Sequence, residues 1–264
     1  MSAILLNGQI VHYEVLGRGR PIIFLHGWVG SWRYWIPTMQ VASTSYRAYA
    51  LDLWGFGETA HTEDRYTLGE QATLIRYFLE QMGMIKVALV GHGLGALVAM
   101  EFASRDPQSV DRMMLVNFPL LSGMLNPRLG SASPSELADW LLERTPETEA
   151  ARADAPKADP KAIADSISSM QNNGLLDKIS TVRTPSLYVH GLNDQAVTSP
   201  TREQADDILP SYHATQITFD DAGHFPMLQD SARFNRLLTD FLSLQSGASP
   251  RELQLKEEWK RRVR

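Results

Sequence analysis

The sequence has no cysteine among its 264 residues, which excludes disulfide bonds, thiolate catalysis and zinc sites built on cysteine. It also lacks an excess of positive charge, because 25 Lys and Arg stand against 30 Asp and Glu, a net charge of -5. Such a chain has no overall attraction for phosphate backbones or anionic membranes, so a nucleic-acid partner is not expected. No apolar run approaches the roughly 18 residues of a membrane-spanning helix.

A secretory signal is also missing, since residues 1–13 contain neither its basic region nor its apolar region. With the absence of cysteine, this predicts a cytoplasmic protein. The remaining composition is that of a globular protein, 44% hydrophobic and 21% charged. At this length we expect one main domain with an insertion.

Short runs rich in Val, Ile and Leu are separated by segments of helical period, which predicts a largely parallel sheet with crossover helices. Asn7-Gly8 predicts a tight turn in an opening hairpin. The predicted strands are residues 4–6, 10–15, 21–25, 48–51, 87–90, 113–116, 186–189 and 215–219, and the predicted helices are residues 67–82, 94–104, 201–209 and 231–244.

This alternation breaks down over residues 119–181, which are rich in Ala, Ser, Pro, Asp and Glu. We interpret them as a small helical lid inserted into a core made of residues 1–118 and 182–245. One clear amphipathic helix is predicted in the lid, at residues 135–144. The polar stretch 150–160 is predicted to be mobile, as lids over ligand sites often are.

Residues 246–264 are predicted to form a basic helical tail. Its start carries the capping signature Ser249-Pro250-Arg251-Glu252. A partner or membrane-surface role is conceivable for the basic end, residues 256–264, but we interpret it as a solvated surface helix.

The fifth predicted strand is followed by Gly91-His92-Gly93-Leu94-Gly95 and a helix. This stretch resembles the nucleophile elbow of α/β-hydrolases, strand, G-x-S-x-G, helix, in every element except the central serine. Gly93 stands at the serine position, so the turn forms easily but no side-chain oxygen is available to attack a substrate. Taken alone, the motif also fits a glycine turn that binds phosphate on its amides.

Three further motifs resemble the same family in order and spacing. The first, Phe24-Leu25-His26-Gly27-Trp28, is similar to the loop that forms the oxyanion hole. The resemblance implies that the backbone amides of Trp28 and Leu94 receive the negative charge that develops on a substrate oxygen. It also implies that His26 makes hydrogen bonds within the loop rather than taking part in catalysis.

The second and third motifs follow the last two predicted strands. Val189-His190-Gly191-Leu192-Asn193-Asp194 resembles the turn that presents the catalytic acid, and Ala222-Gly223-His224-Phe225-Pro226 resembles the loop that carries the catalytic histidine. The order of elbow, acid and histidine along the chain agrees with the family. The resemblance therefore implies Asp194 as the acid and His224 as the base.

A structural loop of the family, D-x-x-G-x-G, is matched by Asp52-Leu53-Trp54-Gly55-Phe56-Gly57. Where the family commonly has serine next, this chain has Glu58, so we expect a different local hydrogen bond. The resemblance spans residues 10–244 apart from the lid.

Aromatic residues crowd the loop after the third strand. Trp32 and Trp35 are candidates for the wall of an apolar substrate pocket, with core packing as an equal alternative. His92, beside Gly93, is a third pocket candidate, although that elbow position is commonly His in the family, which favours packing.

Together these features predict an α/β-hydrolase fold, with a mostly parallel eight-stranded sheet flanked by helices and a small helical lid. The predicted activity is on a small, largely apolar ester or carbonyl substrate through Asp194, His224 and the backbone oxyanion hole, without a metal or organic cofactor. His224 would act on a water molecule, or on a substrate proton in lyase-type or oxygenase-type chemistry. Three readings stay open: a natural serine-less enzyme, an esterase inactivated at Gly93, and a non-catalytic ligand-binding or sensing protein.

Overall fold

The computed structural model describes residues 2–171 and 173–253, which are built around one eight-stranded sheet of order β1-β2-β4-β3-β5-β6-β7-β8. Each predicted strand lies inside one of the observed strands. These are β1 Ser2–Leu6, β2 Gln9–Gly17, β3 Arg20–Leu25, β4 Tyr46–Leu51, β5 Val87–His92, β6 Val110–Val116, β7 Ser186–Gly191 and β8 Ala214–Phe219.

The sheet is parallel from β4 through β8, and only β2 runs antiparallel to its neighbours β1 and β4. The predicted, mostly parallel sheet is therefore confirmed. The hairpin turn is confirmed as well, because Asn7 and Gly8 both have positive φ, 47° and 79°, as a tight turn between Leu6 and Gln9 requires. Since the carboxyl ends of parallel strands share one edge, the loops after β3, β5, β7 and β8 meet there.

Helices cover both faces of the sheet. Four of them match the predicted helices to within two residues, namely α2, α3, α9 and α11. The observed helices are α1 Ile36–Ala42, α2 Leu68–Met82, α3 Leu94–Arg105, α4 Arg128–Ser131, α5 Pro134–Leu141, α6 Glu149–Asp154, α7 Pro160–Gln171, α8 Leu175–Thr181, α9 Arg202–Ile208, α10 Pro226–Gln229 and α11 Ser231–Ser243. In the described part of the chain, none of these helices has the length and apolarity needed to cross a membrane.

The segment between β6 and β7 is more regular than the sequence predicts, since it contains the five helices α4 to α8. The one helix predicted there corresponds to α5, which has a capping box between Ser133 and Glu136. The buried face of α7 carries Ala162, Ile163, Ser166 and Met170, and the small Ala162 and polar Ser166 weaken the apolar period from which a helix is predicted.

The stretch 150–160 corrects the prediction of a mobile segment. It contains most of α6 and a further helical turn, Ala155–Lys157, and Asp154 is only 4% exposed. Asp154 and Lys157 are bonded to the core, as described below, and Arg152 is bonded to Asp139 next to α6, so the polar composition reflects ion pairs and not a lack of structure.

The predicted start of the tail is found where the capping signature places it. Residues 250–253 form a helical turn, and the backbone N–H of Arg251 donates to the Ser249 hydroxyl at 3.3 Å. The Ser249 hydroxyl in turn donates to the backbone oxygen of Tyr212 at 2.6 Å, which fixes the turn beside β8. The basic residues 256–264 lie outside the described part of the chain.

Candidate active site

The turn between β5 and α3 places Gly93 at the carboxyl edge of the sheet. Gly93 has φ 49° and ψ -107°, a combination that residues with a Cβ rarely adopt. Its backbone N–H donates to the oxygen of Val116 on β6 at 2.9 Å, so the turn is held against the neighbouring strand. The sharp strand-to-helix turn expected from the sequence is therefore present.

The side chain of Trp28 covers Gly93. A Cβ atom placed on Gly93 would lie 3.0 and 3.1 Å from two carbons of the Trp28 ring, closer than such atoms normally pack. The same ring donates its Nε1–H to the Ser166 hydroxyl on α7 at 3.0 Å. Trp28 and Ser166 are fully buried, so the indole packs closely against Gly93 and is anchored to α7.

Asp194 and His224 meet at the same edge, from the loops after β7 and β8. Nδ1 of His224 lies 2.8 Å from Oδ2 of Asp194, and both side chains are about 1% exposed. The other carboxylate oxygen accepts the backbone N–H groups of Ala196 and Val197 at 2.7 and 3.1 Å, which fixes the carboxylate. Since an ionised carboxylate only accepts, His224 carries its proton on Nδ1 and presents Nε2 as an acceptor.

Nε2 of His224 is buried and has no hydrogen-bond partner within the described residues. Buried polar atoms without partners are uncommon in proteins, and a catalytic role is one explanation for such an atom. The imidazole lies next to the elbow, because its centroid is 4.6 Å from that of His92, the residue before Gly93. The acid and the base predicted from the sequence are thus together beside Gly93.

Asn117, at the end of β6, is a site residue that the sequence analysis missed. Its amide nitrogen donates to the backbone oxygen of His224 at 2.7 Å, and its amide oxygen accepts the N–H of Gly191 at 3.0 Å. It therefore joins the loop of the acid to the loop of the histidine. The detectable signal is an Asn directly after an apolar strand, where it adopts a positive φ of 48° that few other residues accept.

The predicted oxyanion amides also lie at this edge. No hydrogen bond within the described residues uses the backbone N–H of Trp28 or that of Leu94. Leu94 is the first residue of α3, where backbone N–H groups have no partner inside the helix and carry partial positive charge. The two amides are therefore available donors.

His92, the third pocket candidate, is packed beneath the site and does not line a pocket, which agrees with the packing interpretation favoured from the sequence. Its Nδ1 lies 2.9 Å from the hydroxyl of Tyr34, its Nε2 lies 2.7 Å from the backbone oxygen of His224, and its ring is fully buried. Burial, and then the neighbouring His224, hold the pKa of His92 well below its ordinary value. The ring is thus a neutral support beneath the site.

Trp35 also belongs to the core rather than to a pocket wall. Its ring lies 5.2 Å from that of Phe24 on β3 and 6.3 Å from that of Phe234 on α11, and it is fully buried. Trp32 is partly exposed and packs on His12 of β2, with ring centroids 5.6 Å apart. The contacts of Trp35 favour the packing alternative for that residue, whereas Trp32 stays a pocket candidate.

His26 makes the loop hydrogen bonds that the sequence predicts. Nδ1 donates to the backbone oxygen of Gly27 at 2.8 Å, and Nε2 accepts the N–H of Leu53 at 3.0 Å. Burial lowers the pKa of this imidazole, which keeps it neutral as this pattern requires. His26 thus ties the oxyanion loop to the loop after β4.

Asp52 has the structural role expected from its motif. It is fully buried and accepts the backbone N–H groups of Trp32 and Glu58 and Nδ1 of His12, at 2.9 to 3.0 Å. The side chain of Glu58, where the family commonly has serine, pairs with Lys157 of the lid at 2.5 Å. The local bond therefore differs, as expected, and it is directed to the lid.

Asp154, the last residue of α6, fastens the lid to the oxyanion loop. Its carboxylate accepts from the Ser31 hydroxyl at 2.5 Å, from Nε of Arg33 at 3.1 Å and from Nζ of Lys157 at 3.0 Å. Burial alone would raise the pKa of Asp154, but the Ser31 hydrogen bond and the two cations lower it below the ordinary value. The contribution to stability is then complete above the ordinary Asp value of 3.8 and is lost as the pH falls below it.

We expect Asp154→Asn to loosen this attachment, because the buried cluster keeps its cations and loses its anion. The free energy of unfolding should fall by about 1–3 kcal/mol, and trypsin should cleave faster after Arg152 or Lys157 under native conditions. Asp165→Asn is the matched control, since Asp165 pairs with Lys161 at a half-exposed position on α7. Equal cleavage rates in the two variants would contradict the proposed attachment.

The described residues contain no group of three or more His, Cys, Asp or Glu side chains placed to hold a metal ion. The polar groups that the described residues bring together here are an imidazole, a carboxylate and two backbone N–H donors.

Comparison with known proteins agrees with the family resemblance of the sequence motifs. The model of the alpha/beta hydrolase family matches residues 22–237. The protein named "Putative carbamate hydrolase RutD" from Yersinia enterocolitica is 24% identical over 272 residues, which cover 94% of this chain and 97% of that protein. Human epoxide hydrolase 4 is 35% identical over 118 residues, which cover 43% of this chain and 32% of that protein.

Among solved structures, the enol-lactonase from Burkholderia xenovorans superposes with a TM-score of 0.79 at 17% identity, covering 92% of this chain and all of that one. The esterase from Exiguobacterium antarcticum gives a TM-score of 0.79 at 18% identity, covering 92% and 99%. At these identities the likeness concerns the fold, and it confirms the predicted fold class.

Proposed function

Because this chain belongs to the alpha/beta hydrolase family, we propose that it hydrolyses a small, largely apolar ester or carbamate without forming a covalent intermediate on the protein. In this proposal Gly93 occupies the position of the family's nucleophile, and a water molecule replaces the missing hydroxyl. His224 is the general base, Asp194 orients it, and residues 119–181 serve as the lid.

The observation that carries the proposal is the 2.8 Å contact between His224 and Asp194, together with the buried Nε2 that has no hydrogen-bond partner in residues 2–171 and 173–253. Here a buried carboxylate holds the imidazole in one tautomer, and burying that carboxylate costs desolvation free energy. A protein that only binds a ligand has no need of that arrangement. General-base catalysis, by contrast, needs an acceptor nitrogen aimed at the reacting proton.

The steps follow from the positions of the donors and acceptors. Nε2 of His224 takes a proton from water as the water oxygen bonds to the carbonyl carbon, and Asp194 stabilises the imidazolium that forms. The carbonyl oxygen becomes an oxyanion and accepts the N–H groups of Trp28 and Leu94. When the tetrahedral intermediate collapses, His224 returns the proton to the leaving oxygen, which gives an acid and an alcohol.

The substrate class rests on relatives and on the surroundings of the base. Relatives carry names for carbamate, ester and epoxide hydrolysis. Trp28 and Phe225, which are fully buried beside the site, provide apolar surface. A carbonyl compound with small apolar groups suits both the relatives' names and this apolar surface. The same base could instead remove a proton from such a substrate.

A second candidate function is binding without turnover, and the position of Trp28 favours it. The indole lies against Gly93 and is bonded to α7, so it narrows the space in which a nucleophile would stand. A ligand would then be held under the lid without being cleaved.

A panel of short-chain p-nitrophenyl esters and aryl carbamates distinguishes the two functions. We expect slow, saturable release of p-nitrophenol without an initial burst, and no mass increase of the intact protein during turnover. A burst with a covalent adduct would contradict the proposed mechanism. Tight binding of the same compounds without release would favour the binding protein.

A further inference from the structure

Two buried side chains outside the dyad, those of Tyr34 and His92, connect the oxyanion loop to the loop of His224. The backbone nitrogen of Gly27 lies 2.6 Å from the Tyr34 oxygen, and that oxygen lies 2.9 Å from Nδ1 of His92. Nε2 of His92 lies 2.7 Å from the backbone oxygen of His224. All three contacts are inside the protein, where Tyr34 is 1% and His92 0% exposed.

The direction of each hydrogen bond is determined by the chemistry of its ends. The backbone oxygen of His224 only accepts, so Nε2 of His92 donates, and in a neutral imidazole Nδ1 must then accept. The Tyr34 hydroxyl therefore donates to Nδ1 and uses its oxygen to accept the N–H of Gly27. Burial, which keeps the pKa of His92 well below its ordinary value, preserves the neutral form that this order requires.

At one end, this chain of bonds acts on the peptide next to the proposed oxyanion amide. The carbonyl of Gly27 and the N–H of Trp28 belong to one rigid peptide plane, and that carbonyl accepts from His26 at 2.8 Å. The Gly27 N–H, in the preceding plane, is held by Tyr34. With both planes fixed, the direction of the Trp28 N–H is set.

At the other end, the bonds act on the main chain of the base. The backbone oxygen of His224 accepts both from His92 and from the amide of Asn117, each at 2.7 Å. A Cβ atom on Gly27 would lie 2.9 Å from Nδ1 of His92, so the ring approaches the oxyanion loop as closely as glycine allows. A displacement of the His92 ring would therefore shift the oxyanion loop, the loop of His224, or both.

We propose that Tyr34 and His92 are positioning residues that hold the Trp28 amide and the His224 imidazole at a fixed separation across the elbow. This inference rests on the proposed function, in which both groups act on one substrate carbonyl. A displacement of about 1 Å between reacting groups is enough to cost a hundred-fold in rate. The chain of hydrogen bonds thus keeps both groups in the geometry that the transition state needs, in addition to stabilising the fold.

Tyr34→Phe tests the hydroxyl alone, because the ring keeps its edge-on packing against Phe225, 5.5 Å away. Tyr188→Phe is the matched control, since Tyr188 is as deeply buried, on β7, and lies outside the chain of bonds. In protein labelled with ¹⁵N-histidine, the parent should show His92 protonated on Nε2 with Nδ1 as an acceptor. Tyr34→Phe should shift the His224 imidazole resonances, assigned from His224→Ala, whereas Tyr188→Phe should leave them in place.

Kinetics on the ester or carbamate that the parent turns over provide the second measurement. We expect Tyr34→Phe and His92→Leu each to lower kcat by about 10-fold or more with KM unchanged, as a displaced base and amide predict. His92→Gln keeps an N–H able to donate toward the His224 oxygen and should recover part of the loss. Tyr188→Phe should match the parent.

The inference is overturned if Tyr34→Phe and Tyr188→Phe give the same His224 resonances, or if His92→Gln is no better than His92→Leu. Failure of the proposed function looks different, because it appears as no turnover by the parent itself. In that case the resonances still decide whether Tyr34 positions His224.

Discussion

His224→Ala is expected to lower kcat/KM for the hydrolysed ester or carbamate by about 100-fold to 10,000-fold, the usual contribution of a general base. Without the imidazole, the proposed base that takes the proton of the attacking water is lost. The two N–H donors and the lid stay, so some rate above that of water should persist. Steady-state kinetics at substrate concentrations on both sides of KM measure the loss.

The control for this substitution is His61→Ala, which removes an exposed imidazole elsewhere and should leave kcat/KM unchanged. Asp194→Asn adds a second comparison. It keeps the shape of the acid while favouring the other tautomer of His224, which turns an N–H toward the substrate. If His224→Ala and His61→Ala have equal kcat/KM, the dyad has no catalytic part and the proposed mechanism fails.

Gly93→Ser is expected to create a nucleophile that the parent lacks. A hydroxyl on this turn would be placed next to His224 and should react with a fluorophosphonate probe, which attaches to the serine oxygen of serine hydrolases. Labelling should disappear in the double variant Gly93→Ser/His224→Ala. Intact-protein mass spectrometry detects the adduct, and aryl ester turnover should gain an initial burst.

The same substitution should destabilise the protein by about 1–3 kcal/mol. Any residue with a Cβ is strained at φ 49°, and the Cβ would press on the Trp28 ring. Gly93→Ala is the matched control, because it adds the same Cβ without the oxygen. Both variants should therefore lose similar stability in urea unfolding, while only the serine variant is labelled.

A double-mutant cycle with Trp28→Phe separates the backbone strain at residue 93 from the crowding of its Cβ by the Trp28 ring. If the indole crowds the Cβ, the double variant should be more stable than the sum of the single effects predicts. An unlabelled but folded Gly93→Ser would show that the turn does not present residue 93 to His224, and the assignment of Gly93 to the nucleophile position would then be wrong.

The fold could be predicted because its signals are local. Continuous apolar strands, the Asn7-Gly8 turn and the helix periods each depend on neighbours in sequence, and all eight strands are found in the structure. The same holds for Asp194 and His224, whose motifs follow strands directly. Only the 2.8 Å contact between the two side chains depends on how the loops after β7 and β8 fold together.

What could not be predicted depends on contacts between distant residues. Asn117 carries no motif, yet it binds loops 74 and 107 positions away. Trp35 lies among aromatic residues that also suit a pocket wall, and only its packing against Phe234 of α11 shows that it belongs to the core. The attachment of the lid was missed because the acid of an ion pair and its cations are far apart in the sequence, as Asp154 and Arg33 are.

The attachment of the lid has a consequence for the timing of a reaction. Ser31 and Arg33, which bind Asp154, lie on the same loop as Trp28, and the Trp28 indole is itself bonded to α7. On the proposed function, opening of residues 119–181 to admit a substrate would therefore displace the Trp28 amide that is to stabilise the oxyanion. Substrate entry and the catalytic arrangement would then exclude each other, so that the donors and the base come together only once the substrate is enclosed.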